Sequence, residues 1–280
     1  MTIIHTAEEM RAWSREQRRT GKSIGFIPTM GALHEGHASL LRASVDRDDV
    51  TVLSIFVNPT QFAPGEDFGK YPRTFEEDCR IAEATGVQAV YAPNAADMYP
   101  AGYATYVEVE RLTERLCGAV RPAHFRGVAT VVTKLFNAVL PDRAYFGQKD
   151  AQQAAVIRRM TRDLDFGIEI VELPTVRESD GLAMSSRNAY LSPEERQRAL
   201  CISGALFKAQ AMLEAGERDP KRVIETVREN LSEIAIDYVE LVDAEEMTPV
   251  TTIEGTVLLA VAAKVGGTRL IDNIKFCAES

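Results

Sequence analysis

The clearest chemical signal in this sequence is a pair of histidines that flank a glycine, His34, Gly36 and His37. The segment follows an apolar run and precedes a helical pattern, so the histidines are expected at the N-terminus of a helix. Free N–H groups and the positive end of the helix dipole favour phosphate there, and glycine lets the backbone approach a ligand closely. Imidazoles in this position can stabilise charge that grows on an α-phosphate. The segment therefore favours phosphoryl or nucleotidyl transfer.

Two other interpretations of the histidine pair stay open at this point. A zinc peptidase motif, H-E-x-x-H, needs its second histidine four residues after the first, and Ala38 lies there. Alternatively, the two histidines do no more than cap a helix. Their position directly after the first strand of the α/β pattern favours the phosphate interpretation.

A second candidate segment lies between a predicted strand and a predicted helix, at residues 146–153. Lys149 is a mobile cation suited to polyphosphate, and Asp150 is placed to cap the helix. Gln153 follows Asp150 by three residues, so both side chains lie on one helix face. An ordinary solvated turn is the alternative interpretation.

A third candidate segment is the polar loop formed by Ser185, Ser186 and Arg187. Its hydroxyls and guanidinium can cover the β- and γ-phosphates of a nucleotide and help pyrophosphate to leave. Such residues are also common in surface loops, so this segment gains weight only beside the histidine pair.

A fourth candidate segment follows the second long strand and contains Asn58 and Gln61. The carboxyl ends of strands in open α/β sheets are where ligands bind. Amides at such an edge can hold hydroxyl or carboxylate groups without adding charge. An Asn-Pro turn without function is the alternative.

Strands and helices alternate through the first two-thirds of the chain. Apolar, β-branched runs predict strands at 23–28, 50–57, 88–91, 143–146 and 168–173, and helical patterns occur at 38–44, 74–84, 129–139 and 151–162. Thr74 followed by Glu77 predicts a capping box for the second of these helices. The alternation predicts an α/β fold with a doubly wound, Rossmann-like parallel sheet.

The pattern changes after about residue 175. Helical blocks at 193–215 and 220–234 precede strands at 237–242, 256–265 and 269–272. Gly266 and Gly267 between the last two strands predict a tight hairpin. We therefore expect a first domain over residues 1–175 and a smaller α+β domain over residues 176–280 that closes the active site.

Composition excludes several classes of function. The chain has 280 residues, a net charge of −9 and a pI of about 5.1, which disfavours general binding to nucleic acid or anionic membranes. No apolar run approaches the roughly 20 residues that span a bilayer, and the N-terminus lacks a signal-peptide core. The four cysteines are dispersed without a C-x-x-C pair, so we expect neither disulfides nor a zinc framework. This cysteine usage leads us to expect a cytoplasmic location.

Together the candidate segments resemble the pantothenate synthetase (pantoate–β-alanine ligase) family, in the nucleotidyltransferase superfamily related to class I aminoacyl-tRNA synthetases. The resemblance covers essentially the whole chain. It is carried by seven ordered segments, at 28–37, 58–62, 71–74, 121–128, 146–150, 184–188 and 268–273. So many motifs in one order make the resemblance highly specific.

The resemblance implies a two-step reaction in pantothenate and coenzyme A biosynthesis. Pantoate and ATP with Mg²⁺ would form pantoyl adenylate and pyrophosphate, and β-alanine would then displace AMP. The implied partners are these small molecules rather than nucleic acid or membrane, and the implied assembly is a homodimer.

The resemblance also implies roles for individual residues. The catalytic set would be His34, His37, Lys149, Ser185, Ser186 and Arg187. ATP would be bound by Met30, Gly31, Ala32, Leu33, His34, Glu35, Gly36, His37, Gly147, Gln148, Lys149, Asp150, Val176, Met184, Ser185, Ser186 and Arg187. Pantoate and β-alanine would be bound by Asn58, Gln61, Val128, Val132 and Gln153.

Two residues depart from the family pattern. Gln148 replaces the usual glutamate, and we expect the lost charge to be tolerated because Lys149 carries the phosphate contact. Cys117 lies where some relatives have glutamate, which leaves the role of that side chain open.

Two rival functions remain. A nucleotidyltransferase with a stable cytidylyl or adenylyl product would not release AMP in response to an amine. A regulatory nucleotide-binding module without catalysis is disfavoured because His34, His37 and Lys149 are all present.

Overall fold

A computed structural model describes residues 1–278, which divide into two compact units. Unit 1 comprises residues 1–109, 121–147 and 156–174, and unit 2 comprises residues 110–120, 148–155 and the chain from Thr175 onward. Two short segments of unit 2 therefore lie before residue 175, on the N-terminal side of the boundary expected from the sequence.

Unit 1 is built on a six-stranded sheet in which every neighbouring pair is parallel. The order is β1-β4-β3-β2-β5-β6. The strands are β1 (Thr2–Ile4), β2 (Ile24–Thr29), β3 (Val50–Ile55), β4 (Ala89–Tyr91), β5 (Arg143–Gly147) and β6 (Glu169–Leu173). The predicted doubly wound parallel sheet is confirmed, and β1 is an edge strand that the sequence patterns did not predict.

Six of the helices within residues 1–278 correspond to predicted helical segments, whereas the first, fourth and fifth were not predicted. The helices are α1 (Ala7–Arg19), α2 (Glu35–Arg47), α3 (Phe75–Thr85), α4 (Ala95–Met98), α5 (Cys117–Val120), α6 (His124–Val139), α7 (Ala151–Asp163), α8 (Pro193–Glu214) and α9 (Pro220–Asn230). Within residues 1–278, none of them has both the length and the apolarity needed to cross a bilayer.

The capping box predicted for α3 is wrong. Thr74 is the N-cap residue, but its side chain makes no capping hydrogen bond. Its hydroxyl instead donates to the carboxylate of Asp78, 3.2 Å away. Asp78 is buried and accepts other hydrogen bonds as well, so the threonine serves that carboxylate rather than the end of the helix.

The core of unit 1 explains why its central strands lack a polar alternation. Ile27 of β2, Leu53 of β3 and Val90 of β4 are fully buried beside Leu41 of α2. Strands of a parallel sheet covered on both faces are apolar along most of their length. The mostly apolar runs in the sequence are the direct result.

A polar network closes the amino-terminal end of this sheet. The carboxylate of Asp48, whose side chain is fully buried, accepts hydrogen bonds from the Tyr145 hydroxyl and the Arg143 guanidinium, both at 2.6 Å. Burial raises the pKa of Tyr145, and its hydrogen bond to Asp48 raises that pKa further. Tyr145 is therefore a permanent donor to a buried charge.

Tyr145→Phe is expected to lower the free energy of unfolding by about 1.5–3 kcal/mol, because a donor to a buried charged group is lost. Chemical denaturation measures the change. Tyr91→Phe is the matched control, since Tyr91 is equally buried and its hydroxyl bonds to no other residue within 1–278. Equal losses in both variants would contradict the role given to the Asp48 hydrogen bond.

Unit 2 is an α+β unit with a three-stranded antiparallel sheet in the order β7-β8-β9. Its strands are β7 (Ala235–Asp243), β8 (Gly255–Val265) and β9 (Thr268–Ala278). Apolar residues of α8 and α9, among them Leu206 and Val227, form a core with the sheet. Val265 pairs with Thr268, which confirms the predicted Gly-Gly hairpin.

Candidate functional site

The strand order of unit 1 reverses beside β2. From β2 the chain builds outward through β3 and β4 on one side, and through β5 and β6 on the other. Ligands of open α/β sheets bind where the order reverses, beyond the carboxyl ends of the strands. His34 and His37 follow β2, and Gly147 ends β5, so these predicted residues lie at that switch point.

The two histidines are locked together at the start of α2. His34 is the N-cap residue, and its Nδ1 accepts a hydrogen bond of 3.1 Å from the Gly36 N–H. Nδ1 of His37 accepts from the His34 N–H at 3.3 Å. The ring centroids are 4.1 Å apart. The pair forms a capping box in which imidazoles take the places of the usual hydroxyl and carboxylate.

This hydrogen bonding assigns the tautomer of both rings. A neutral imidazole whose Nδ1 accepts carries its proton on Nε2. Each of His34 and His37 therefore has an Nε2–H donor, at the end of a helix whose dipole favours anions. Capping and phosphate binding are compatible, because the cap is what orients the donors.

The neighbours of the pair belong to the same turn. Met30 follows β2, and its sulfur accepts a hydrogen bond of 2.8 Å from the Gln61 side-chain amide. Gly31 and Ala32 both have positive φ, 82° and 52°. Glu35 is exposed and forms an ion pair with Arg42 along α2, so its carboxylate faces away from the turn.

Asn58 is buried and holds the side chain of Gln61 by a hydrogen bond. It is 1% exposed, and its amide nitrogen donates to Gln61 Oε1 and to the Gly127 carbonyl, each at 3.1 Å. Its oxygen accepts from the Tyr99 hydroxyl at 2.8 Å. Burial raises the pKa of Tyr99 to about 12, so this donor stays protonated at neutral pH.

A charged cluster holds the backbone of Gln61. Nδ1 of His124 lies 2.8 Å from the Gln61 carbonyl, and Nε2 lies 3.1 Å from the Arg121 guanidinium. Arg121 also makes a bidentate pair with Glu66 at 2.7 and 2.6 Å. Burial alone would raise the pKa of Glu66, but the hydrogen bonds and positive charge around it, foremost those of Arg121, together lower this pKa. Gln61, Arg121 and His124 lie in segments that carry the family resemblance, whereas Glu66 lies outside them, and nothing in the sequence indicated that these residues contact one another.

Helix α6 supplies the apolar residues predicted for the substrate. Val128 and Val132 are 2% and 4% exposed and, four residues apart, lie on one face of the helix. Gly127 lets the Thr60–Gln61 backbone approach this helix, because a Cβ there would lie 2.8 Å from Gln61 Cα and closer still to the Thr60 carbonyl oxygen.

The remaining nucleotide-site candidates belong to unit 2. Gln148, Lys149 and Asp150 form one 3-10 turn directly before α7. The side-chain amide of Asn273 donates to the carbonyls of Gln148 and Lys149, both at 2.9 Å. Gln148 donates to the Asn273 oxygen at 3.3 Å. The neutral Gln148 thus takes part in the hydrogen bonding that fixes the backbone of Lys149.

Gln153 lies beside a residue that the sequence patterns did not single out. Gln152 is buried and donates to the carbonyls of Leu112 and Arg115 at 2.8 Å, while it accepts from the Cys117 N–H at 2.9 Å. It therefore organises the segment 110–120. Gln153, the next residue of α7, is only partly buried.

Cys117 has polar surroundings in unit 2. Its sulfur lies 3.5 Å from both terminal nitrogens of Arg269 and 3.5 Å from the Tyr238 hydroxyl. Arg269 also pairs with Asp237 at 2.7 Å. The residue that departs from the family pattern therefore occupies a site built for a polar side chain.

The loop with two serines is held by its own backbone. Val176 accepts a hydrogen bond of 3.0 Å from the Met184 N–H, and Ser185 caps the 3-10 helix Ser186–Tyr190 through the Arg187 N–H at 3.3 Å. Arg177 beside Val176 pairs with Asp272 at 2.6 and 3.0 Å. The predicted residues at 176 and 184–187 thus belong to one connected segment of unit 2.

The structure groups the predicted residues by unit. Unit 1 holds Met30, Gly31, Ala32, Leu33, His34, Glu35, Gly36, His37, Asn58, Gln61, Val128, Val132 and Gly147. Unit 2 holds Gln148, Lys149, Asp150, Gln153, Val176, Met184, Ser185, Ser186 and Arg187. Across residues 1–278 no three histidine, cysteine or acidic side chains cluster as a metal site.

Comparison with known proteins gives a consistent result. The sequence profile of the family described as Pantoate-beta-alanine ligase matches residues 2–275. The chain is 57% identical over 277 residues to a pantothenate synthetase of Heliobacterium modesticaldum, covering 98% of this chain and 99% of the relative. It is 56% identical over 276 residues to that of Pelotomaculum thermopropionicum, covering 98% of each.

Solved structures agree with the sequence relatives. Pantothenate synthetase from Thermus thermophilus superposes with a TM-score of 0.92 at 44% identity, covering 98% of this chain and 99% of that one. A pantoate-beta-alanine ligase from Francisella tularensis, described as complexed with beta-gamma ATP and beta-alanine, superposes with a TM-score of 0.79 at 30% identity. It covers 98% of this chain and 97% of that one.

Proposed function

The chain belongs to the pantoate–β-alanine ligase family and is a carbon–nitrogen ligase, and we propose that it works through a pantoyl adenylate. In the first step a pantoate carboxylate oxygen attacks the α-phosphorus of ATP, and the bond to pyrophosphate breaks. In the second step the β-alanine amine attacks the acyl carbon, the bond to AMP breaks, and the amine loses a proton. The products are pantothenate, AMP and pyrophosphate.

The observation that carries this proposal is the paired histidine cap at the switch point of the parallel sheet. Two Nε2–H donors at a helix N-terminus suit an oxygen whose negative charge increases during the reaction. A carboxylate is a poor electrophile, and joining one of its oxygens to the α-phosphorus turns that oxygen into part of an AMP leaving group, which makes attack by an amine feasible. The chemistry needs positioning and electrostatic stabilisation, not a nucleophilic side chain.

We assign ATP to the Met30–His37 turn, to residues 147–150, to Val176 and to the loop 184–187. Lys149, Ser185, Ser186 and Arg187 would stabilise the departing pyrophosphate. Mg²⁺ would enter as the ATP–Mg substrate complex, because this ion is usually held by phosphates with few protein ligands. The Francisella tularensis relative, described with beta-gamma ATP and beta-alanine, supports this substrate pair.

We assign pantoate to Gln61 and Gln153, whose amides suit its hydroxyl and carboxylate groups, and its dimethyl group to Val128 and Val132. Asn58 would act by orienting Gln61, since its own amide is buried. A cytoplasmic homodimer completes the proposal, on the basis of the family resemblance.

The test is isotope exchange between pyrophosphate and ATP. We expect exchange that depends on pantoate and does not require β-alanine, because the adenylate forms before the amine reacts. Thin-layer separation of labelled ATP gives the rate, and reactions without pantoate are the control. Exchange that appears only after β-alanine is added would contradict the adenylate.

A further inference from the structure

The turn that precedes His34 has an unfavourable backbone conformation. Gly31 and Ala32 are consecutive residues in the left-handed region, with φ of 82° and 52°. Left-handed geometry is tolerated by glycine but is costly for any residue with a Cβ, such as Ala32. Some interaction outside the turn must hold it in place.

A carboxylate of helix α3 provides that interaction. Asp78 is 1% exposed, and its two oxygens accept hydrogen bonds from the N–H groups of Ala32 at 3.0 Å and Leu33 at 2.8 Å. The Thr74 hydroxyl adds a third donor at 3.2 Å. Hydrogen bonds to an ionised acceptor are stronger than neutral ones, so this contact is well suited to stabilise the turn.

The packing around Asp78 leaves little freedom. A Cβ at Gly31 would lie 2.9 Å from Asp78 Oδ2, so the carboxylate sits directly against the turn. Both oxygens point into backbone N–H groups that immediately precede His34. A carboxylate that faced the nucleotide would repel its phosphates. The oxygens of Asp78 accept hydrogen bonds from the turn.

We propose that Asp78 is a positioning residue for the adenylation step: it fixes the turn Gly31–Leu33 and thereby aims the histidine pair. Leu33 directly precedes His34 in the chain, and the His34 N–H donates a hydrogen bond to Nδ1 of His37. A shift of the turn would therefore move both Nε2–H donors together. Misplacement by about 1 Å can slow an enzyme about a hundredfold. This inference rests on the proposed function of the pair.

The first measurement uses Asp78→Asn, which keeps the size of the side chain but loses its charge and places an NH₂ group among N–H donors. Pantoate-dependent pyrophosphate exchange is expected to fall by about 10- to 100-fold. Pantothenate formation from supplied pantoyl adenylate and β-alanine is expected to fall far less, because that step does not need the triphosphate. Glu77→Gln, next to it on α3 and paired at the surface with Arg80, is expected to exchange at the wild-type rate.

The decisive variant adds Ala32→Gly to Asp78→Asn. Glycine adopts positive φ without strain, so the turn no longer depends on the carboxylate, and exchange is expected to recover at least fivefold over Asp78→Asn. Ala32→Gly alone supplies the reference rate. If Asp78 only stabilised α3, Ala32→Gly would not restore exchange. A double variant as slow as Asp78→Asn would therefore overturn the proposal.

Thr74→Val decides the matter if Asp78→Asn does not fold. It removes one donor to the carboxylate and leaves the charge in place, so exchange is expected to slow by about two- to fivefold; an unchanged rate would overturn the proposal. A wild-type enzyme without pantoate-dependent exchange would remove the proposed function and this inference together. Normal exchange in folded Asp78→Asn would remove the inference alone.

Discussion

Replacement of His34 by alanine is expected to slow adenylate formation by about a hundredfold or more, and the same is expected for His37 and Lys149. This is the scale for removing one preorganised donor to a developing negative charge. The affinity for ATP should fall less than the rate, because the interaction is stronger in the transition state than in bound ATP. Single-turnover formation of the adenylate and equilibrium binding of ATP measure the two quantities separately.

The helix cap complicates the histidine variants, and the structure offers a way to separate its effects. His34→Ala also removes the acceptor for the Gly36 N–H, which typically costs about 1 kcal/mol of stability. Asparagine is a good N-cap residue but lacks the imidazole Nε2–H. His34→Asn should therefore unfold near the wild-type midpoint while adenylation remains about a hundredfold slow.

Two outcomes would contradict the catalytic role of His34. A His34→Asn enzyme with near-normal adenylation would leave the histidine only its cap. Failure of supplied pantoyl adenylate to restore pantothenate formation in His34→Ala would place the defect outside the first step. Lys149→Ala provides an independent comparison, because Lys149 lies in a different unit and caps no helix at this turn.

Much of the fold could be predicted because its signals are local. The runs that became β2 and β3 are mostly apolar, since both faces of the sheet are covered. A Gly-Gly pair marked the hairpin between β8 and β9. The strand β1 is only three residues long and partly exposed, so it leaves no periodic pattern. The first helix, α1, was also not predicted, although Thr6 and Glu9 form a capping box at its start.

The supports of the candidate site could not be predicted, because they join residues far apart in the chain. Asp78 reaches the turn before His34 across more than 40 residues, and Asn273 reaches Lys149 across 124. Thr74 and Glu77 matched a local capping rule, yet the Thr74 hydroxyl donates to the buried Asp78 carboxylate and makes no capping hydrogen bond. Sequence patterns indicate candidate residues by their chemistry, whereas tertiary contacts decide which other residues hold them in place.

Gly127→Ala is the second variant with a large expected effect, and it tests such a contact. Within a helix, alanine is normally preferred over glycine by about 0.5–1 kcal/mol. At Gly127 the added methyl group would meet the Thr60 carbonyl and Gln61 Cα, so backbone rather than a flexible side chain has to move. We expect a loss of about 1–3 kcal/mol in the free energy of unfolding and a rise of tenfold or more in the KM for pantoate.

The control is another glycine inside a helix. Gly204 of α8 has no atom within 4 Å of an added Cβ, apart from its own surroundings in the helix. Gly204→Ala is therefore expected to stabilise the protein by about 0.5–1 kcal/mol and to leave the KM for pantoate unchanged. Denaturant titration and initial-rate kinetics on both variants give the comparison.

Gln61→Ala completes this test, because it removes the proposed substrate contact without displacing the backbone. Its KM for pantoate should rise as in Gly127→Ala, because a buried polar group that loses its partner costs about 1–3 kcal/mol, while stability changes little. ATP binding should be affected less than pantoate use in both variants. If Gly127→Ala instead behaved like Gly204→Ala, the close approach of α6 to the Gln61 turn would not position the substrate. The role given to that turn would then have to rest on Gln61 alone.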